Sequence, residues 1–228
     1  MKLNKLIAIA TISLLSGGIS MAQKALNLED IVAGNVIQTK GVGSMTWLKD
    51  GERYSRLENN KQTGGTDIVA YQAKDNSREV IIPSSLLTDK STGKPIPVRS
   101  ISWSADNEKV LIYNNTQRVW RYDTRGDYWV LNLKDGALRQ LGKGMPESSM
   151  MFAKFSPDGT RVAYVSNNNI YVEDIDSGKI IQLTKDGSDT IVNGTFDWVY
   201  EEEFSCRDGF RWSPDGKHIA YWQSDTKG

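Results

Sequence analysis

Apolar residues in this chain fall in short runs bounded by Gly, Asp, Asn and Ser. Arg161-Val162-Ala163-Tyr164-Val165 is one such run, an alternating strand pattern with apolar residues available to face a neighbouring layer. It is followed by Ile170 to Ile175, a turn-forming Asp176-Ser177-Gly178-Lys179, and a further run from Ile180 to Leu183. The same order appears earlier, as Tyr128 to Leu133, the turn Lys134-Asp135-Gly136, and Leu138 to Leu141. Runs of this length, closed by Gly and Asp, predict short strands joined by hairpins. From residue 23 onward no segment sustains the 3.6-residue period of an amphipathic helix.

The runs are set in a repeat. An aromatic residue, two variable residues, Asp, then Gly or Asn begins at Trp47, Trp103, Phe155 and Trp212, a period of roughly 52–57 residues. Asp-Gly supplies the positive-φ positions of a tight turn. Each such turn opens a unit of four short antiparallel strands, which is a propeller blade. The fold class expected is therefore all-β: a partial β-propeller of about three complete blades and the start of a fourth. A propeller hides its edge strands by closing on itself, and the last unit stops in mid-blade at Gly228, so the chain reads as a fragment.

One apolar stretch does not fit the repeat. Lys2 and Lys5 precede Leu6 to Leu15, and Ser20-Met21-Ala22 follows. This ten-residue stretch, eight of them apolar, is about half of the roughly 20 residues that span a bilayer. Residues 1–22 therefore read as a secretory signal peptide cleaved before Gln23, leaving residues 23–228 as the propeller part. The expected product is exported, periplasmic or extracellular, with no membrane attachment after cleavage. With 28 basic and 28 acidic side chains, it lacks the positive surplus that a nucleic-acid partner would require. Cys206 is the sole cysteine, which excludes an internal disulfide framework. Read as a bland half-buried thiol, it has no His near it in sequence to activate it. The only histidine, His218, occupies the repeat slot held elsewhere by Arg53, Lys109 and Arg161, a solvated strand face rather than a catalytic base.

Function on a regular scaffold collects in its insertions. The second unit is about ten residues longer than the third, and the excess falls between strands around Thr116 to Asp127, including Trp120-Arg121-Tyr122. A longer excess separates Leu183 from Trp212 and contains Asp197-Trp198-Val199-Tyr200-Glu201-Glu202-Glu203. Neighbouring side chains on a strand point to opposite faces, so two adjacent glutamates can share a target only from a short helix or tight turn. A converging carboxylate pair suits an ammonium group, with its three donors and one charge. An Arg from the other insertion could limit their repulsion and hold a ligand carbonyl.

The Asp197 to Glu203 segment, followed by Arg211-Trp212-Ser213-Pro214-Asp215-Gly216, closely resembles the double-glutamate motif of the dipeptidyl peptidase IV proteins, of the prolyl oligopeptidase type. Trp120-Arg121-Tyr122 is similar to that family's second substrate-binding site. The resemblance implies an eight-bladed propeller paired with a C-terminal α/β-hydrolase domain, and removal of Xaa-Pro or Xaa-Ala dipeptides from peptide amino termini. It implies that Glu202 and Glu203 bind the free α-amino group and Arg121 the first peptide carbonyl. Glu201, Tyr200, Trp198 and Asp197 would support the segment. No cofactor or metal is called for, and a dimer contact near the segment leaves room for a homodimer. No Gly-x-Ser-x-Gly elbow occurs in these residues, so no catalytic residue is assigned and the fragment alone is expected to be inactive. Phe204 stands where many relatives carry an aliphatic residue. Blades of this kind also occur in non-enzymatic propellers, so the alternative is a periplasmic protein-binding module.

Overall fold

The computed structural model describes residues 27–32, 41 and 43–227; the expected signal peptide lies outside them. The chain divides into two compact units, Met1–Val42 and Gly43–Gly228. The described part of the first is a short helix, Leu28–Val32. No helix among the described residues is long and apolar enough to cross a membrane.

The second unit is built of strands. The first blade comprises β1 (Thr46–Trp47), β2 (Arg53–Asn59), β3 (Thr66–Gln72) and β4 (Arg78–Ile82), paired antiparallel in that order. A 3-10 turn at Ser84–Leu87 and a small hairpin of β5 (Thr88–Asp89) and β6 (Lys94–Pro95) lead to the second blade. That blade holds β7 (Ser100–Trp103), β8 (Lys109–Arg118), β9 (Asp123–Asn132) and β10 (Ala137–Gln140). The third holds β11 (Met150–Phe155), β12 (Arg161–Ser166), β13 (Asn169–Asp174) and β14 (Ile180–Gln182). Two further antiparallel pairs follow, β15 (Ile191–Asn193) with β18 (Gln223–Asp225), and β16 (Phe210–Trp212) with β17 (Ile219–Tyr221). These are three blades and the beginning of a fourth, as the repeat predicts, with the ring not closed.

Each aromatic-x-x-Asp-Gly/Asn element makes the same turn. The amides of Gly51, Asn107, Gly159 and Gly216 donate to the carbonyls of Leu48, Ser104, Ser156 and Ser213, at 2.9–3.0 Å. Their φ angles are all positive, from 60° to 71°, which is why Gly or Asn closes the motif. In the last three units the Ser hydroxyl donates to the Asp carboxylate at 2.6, 2.5 and 2.6 Å. At Asp158 that bond, with further bonds from Thr160, holds the carboxyl down at about 2. The aromatic at the head of the motif reaches back to the preceding blade: Trp103 Nε1 donates to Ser55 Oγ at 3.0 Å, and Trp212 Nε1 to the Lys154 carbonyl at 3.3 Å. His218 is exposed, as its repeat slot implied.

The middle strands are buried on both faces rather than one. On β12, Val162 and Tyr164 pack towards the second blade with Leu111, Tyr128 and Val130. The intervening Ala163 and Val165 pack towards the fourth with Ile170 and Phe210. On β8 and β9, Val110, Ile112 and Leu131 face the first blade, joined by Ile68, Ile82 and Leu87. The period of two thus assigns alternate residues to alternate interfaces. Each fully buried Ile, Leu or Val stabilises by about 1.5–3 kcal/mol.

Ile112 is fully buried and Ile181 is 48% exposed. Ile112→Ala is expected to lower unfolding free energy by about 2–5 kcal/mol, and Ile181→Ala by less than about 1 kcal/mol. Denaturant titration of the two variants checks the difference; equal effects would mean that the first and second blades are not packed through Ile112.

Candidate functional site: a hairpin tip against an acidic helix

The two insertions take different forms. The excess around Thr116 to Asp127 is not a loop: β8 and β9 run on as one long hairpin, paired as far as Arg118 opposite Asp123. Register shifts at Asn114–Gln117 and Gln117–Arg118 bend it, and Asn115 takes a φ of 45° there. Gly126 permits the bend, since a Cβ would lie 2.5 Å from the Asn114 carbonyl oxygen and against the Tyr113 ring. The tip closes with the Val119 amide donating to the Tyr122 carbonyl at 2.9 Å. Trp120 sits there at φ 49°, a left-handed conformation costing a side-chain-bearing residue about 1–2 kcal/mol. Such strain concentrates at functional sites, and here it presents Arg121.

The second insertion contains the short helix expected of adjacent glutamates, Trp198–Phe204. Asp197 caps it, its side chain accepting from the Tyr200 amide at 3.0 Å. Ser205 ends it in the left-handed region at φ 54°. Seven residues are too few for a stable isolated helix, and ring contacts on one face add to the caps. Tyr200 lies 5.4 Å from Phe196 and 5.6 Å from Phe204, centroid to centroid, and Phe196 lies 6.2 Å from Trp222. Tyr200 and Phe204 are one turn apart, the spacing at which helix side chains meet.

That phase decides where the three acids point. Glu201 is buried, the Glu202 side chain is only 4% exposed, and Glu203 is exposed. Glu202 Oε2 pairs with Arg121 Nε at 2.5 Å, joining the hairpin tip to the helix. Oε1 of Glu201 and Oε1 of Glu202 are both buried without a hydrogen-bond partner. Burial raises the Glu201 pKa; Arg207 works against that rise and Glu202 adds to it. Trp198 and Tyr200 are about half exposed. Cys206 is a half-buried free thiol whose Sγ lies 3.5 Å from the Phe204 carbonyl. Nothing in the sequence pattern singled out Arg207, yet its guanidinium carbon lies 4.0 Å from the centroid of the Tyr122 ring. Among the described residues no group of three or more His, Cys, Asp and Glu side chains is placed to hold a metal ion.

Residues 104–228 match the family model described as the dipeptidyl peptidase IV N-terminal region. The chain belongs to this family. Among similar proteins, the "probable dipeptidyl-aminopeptidase B" of Podospora anserina is 38% identical over 126 residues, which is 55% of this chain and 14% of that protein. The protein of the same name from Aspergillus terreus is 27% identical over 220 residues, covering 92% of this chain and 24% of its own length. The crystal structure of Porphyromonas gingivalis dipeptidyl peptidase 4 superposes with a TM-score of 0.72 at 26% identity, over 89% of this chain and 28% of that one. The chain therefore spans about a seventh to a quarter of the length of these curated relatives. Both insertions, Arg121 with Tyr122 and Asp197 to Glu203, lie inside the part that matches the dipeptidyl peptidase IV family.

The raised pKa of Glu201 has a definite consequence for stability. A carboxyl whose folded pKa lies above its unfolded value imposes no penalty below about pH 4, the ordinary Glu value being about 4.3. As pH rises through the raised value, the folded state loses stability relative to the unfolded. Glu201→Gln removes that titration. Its melting temperature relative to the parent is expected to increase between pH 4 and pH 7. A difference that stays constant across this range would show that Glu201 ionises normally in the fold.

Proposed function

We propose that the chain is the substrate-recognising amino-terminal part of an exported serine exopeptidase that removes Xaa-Pro and Xaa-Ala dipeptides from peptide amino termini. The observation that carries this reading is the buried, unpartnered carboxylate oxygen of Glu202, beside Arg121 and next to the exposed Glu203 on the same short helix. Buried acceptors without donors cost about 1–3 kcal/mol each, and an ammonium group supplies three donors and a compensating charge. Glu202 and Glu203 take the α-ammonium of the substrate, Glu202 from the buried side and Glu203 from the open side of the helix. Arg121 takes the first peptide carbonyl. Its Nε is engaged with Glu202, and a guanidinium has four further N–H donors for such a contact. Glu201, buried on the same helix, supports the segment.

Anchoring the ammonium turns the site into a ruler: the bond after the second residue is then presented at a fixed distance. The bond-breaking groups belong to a C-terminal hydrolase domain bearing a Ser-Asp-His set, and the fragment alone is inactive. Membership of the dipeptidyl peptidase IV family supports this division of labour.

In the full-length protein, Glu202→Gln and Glu203→Gln are each expected to lower kcat/KM for an Xaa-Pro-chromophore substrate by about 10–100-fold, the loss of a charge-assisted hydrogen bond of about 1.5–3 kcal/mol. Glu203→Gln, at an exposed position, should leave the melting temperature unchanged. Steady-state kinetics decides it, and undiminished turnover in both variants would overturn the reading.

A further inference from the structure

The proposed site requires the hairpin tip to stay in register with the helix, and the ion pair alone does not secure this. Arg121 is 74% exposed while the Glu202 side chain is 4% exposed. A single contact from an exposed guanidinium to a buried carboxylate fixes one point of the Arg and leaves its rotation about that point unconstrained. The tip also projects beyond the last cross-strand pair, Arg118 with Asp123, and the backbone bond from Val119 to Tyr122 closes the turn without fixing the tip against the helix.

A second contact lies at the adjacent residue. Tyr122 packs under the guanidinium of Arg207, 4.0 Å from ring centroid to the Arg carbon. Arg207 is itself anchored: its carbonyl accepts from Thr195 Oγ1 at 3.2 Å. The neighbouring Thr195 and Asp208 form a bridge across the base of the helical insertion. The Tyr200 carbonyl accepts from the Cys206 amide at 3.0 Å, tying the segment to the helix end. Arg207 therefore has a fixed backbone from which to reach the tip.

We propose that Arg207 is a positioning residue of this site: stacked on Tyr122, it forms with the Arg121–Glu202 pair a two-point clasp that fixes the orientation of Arg121 for a peptide carbonyl. The inference rests on the function proposed above and adds to it a residue outside the acidic motif. The electrostatics agree, since the charge of Arg207 also reaches Glu201 and opposes the rise that burial imposes on it. One cation thus serves both the aromatic side of the hairpin and the buried acid of the helix.

The test uses the full-length protein with an Xaa-Pro-chromophore substrate. Arg207→Ala and Tyr122→Leu are each expected to raise KM about fivefold, the scale of one partly exposed cation–π contact, with kcat unchanged because the lost interaction is ground-state positioning. Tyr122→Phe keeps the ring and should behave as the parent. The double variant Arg207→Ala/Tyr122→Leu should be no worse than either single one, since both remove the same contact. A KM unaffected by Arg207→Ala, or a double variant whose effects multiply to roughly 25-fold, would overturn the clasp. Should Arg207→Ala fail to fold, Tyr122→Leu against Tyr122→Phe decides alone: a ring-independent KM refutes the proposal. If Glu202→Gln abolishes turnover while Arg207→Ala and Tyr122→Leu do nothing, the clasp fails and the peptidase reading stands. If Glu202→Gln and Glu203→Gln are also silent, the peptidase reading itself fails.

Discussion

A strand in the middle of a propeller blade must be apolar on both faces, because successive side chains point to opposite sides and each side meets another blade. This constraint organises the described fold. Val162 and Tyr164 go to one interface and Ala163 and Val165 to the other. Val110 and Ile112 are separated from Leu111 in the same way. Once both faces of β8, β9 and β12 are committed, the blades have little freedom to slide or rotate. The turns between strands then become the places where length can be added without disturbing the core. The two long additions in this chain are the β8–β9 hairpin and the Trp198–Phe204 helix, and Arg121 and Glu202 connect them.

That connection sets up an electrostatic arrangement that folded proteins ordinarily avoid. Glu201 and Glu202 are adjacent in sequence and both buried, each with one oxygen lacking a partner. Burial favours the neutral acid, and the raised Glu201 pKa expresses this. Among the described residues the ion-pair partner of Glu202 is Arg121, which comes from a largely exposed position. The screened half of that ion pair adds little to stability, so its value lies in orientation. With a strained Trp120 backbone at the tip and a helix of seven residues held by caps and stacked rings, the local structure gives up stability to fix a constellation of charges.

Much of this was legible in the sequence, for identifiable reasons. The turn at each Asp-Gly/Asn needs positive φ, which few residues tolerate, so the repeat stood out and the blade count followed. The helix at Trp198–Phe204 was legible because adjacent glutamates cannot converge from a strand; the Asp197 cap emerged only in the structure. The long hairpin was not. The excess around Thr116 to Asp127 reads as a segment between strands, yet pairing continues through Gln117 with Arg125 and Arg118 with Asp123, with two register shifts. The burial of Glu201 and exposure of Glu203 were also hidden, because they depend on helix phase, fixed by Phe196, Tyr200, Phe204 and Trp222 coming together. Arg207 had no pattern to mark it; its role arises only from a tertiary contact with Tyr122.

The central claim is that the hairpin tip and the acidic helix together form a receptor for a peptide's free amino end. Calorimetric titration of the full-length protein with an Xaa-Pro dipeptide and with its N-acetyl counterpart tests it most directly. Acetylation removes the positive charge and two of three donors while leaving the rest of the ligand intact. Measurable binding of the free dipeptide and a loss of affinity of about 100-fold on acetylation are expected. Equal affinity for the two ligands would contradict it.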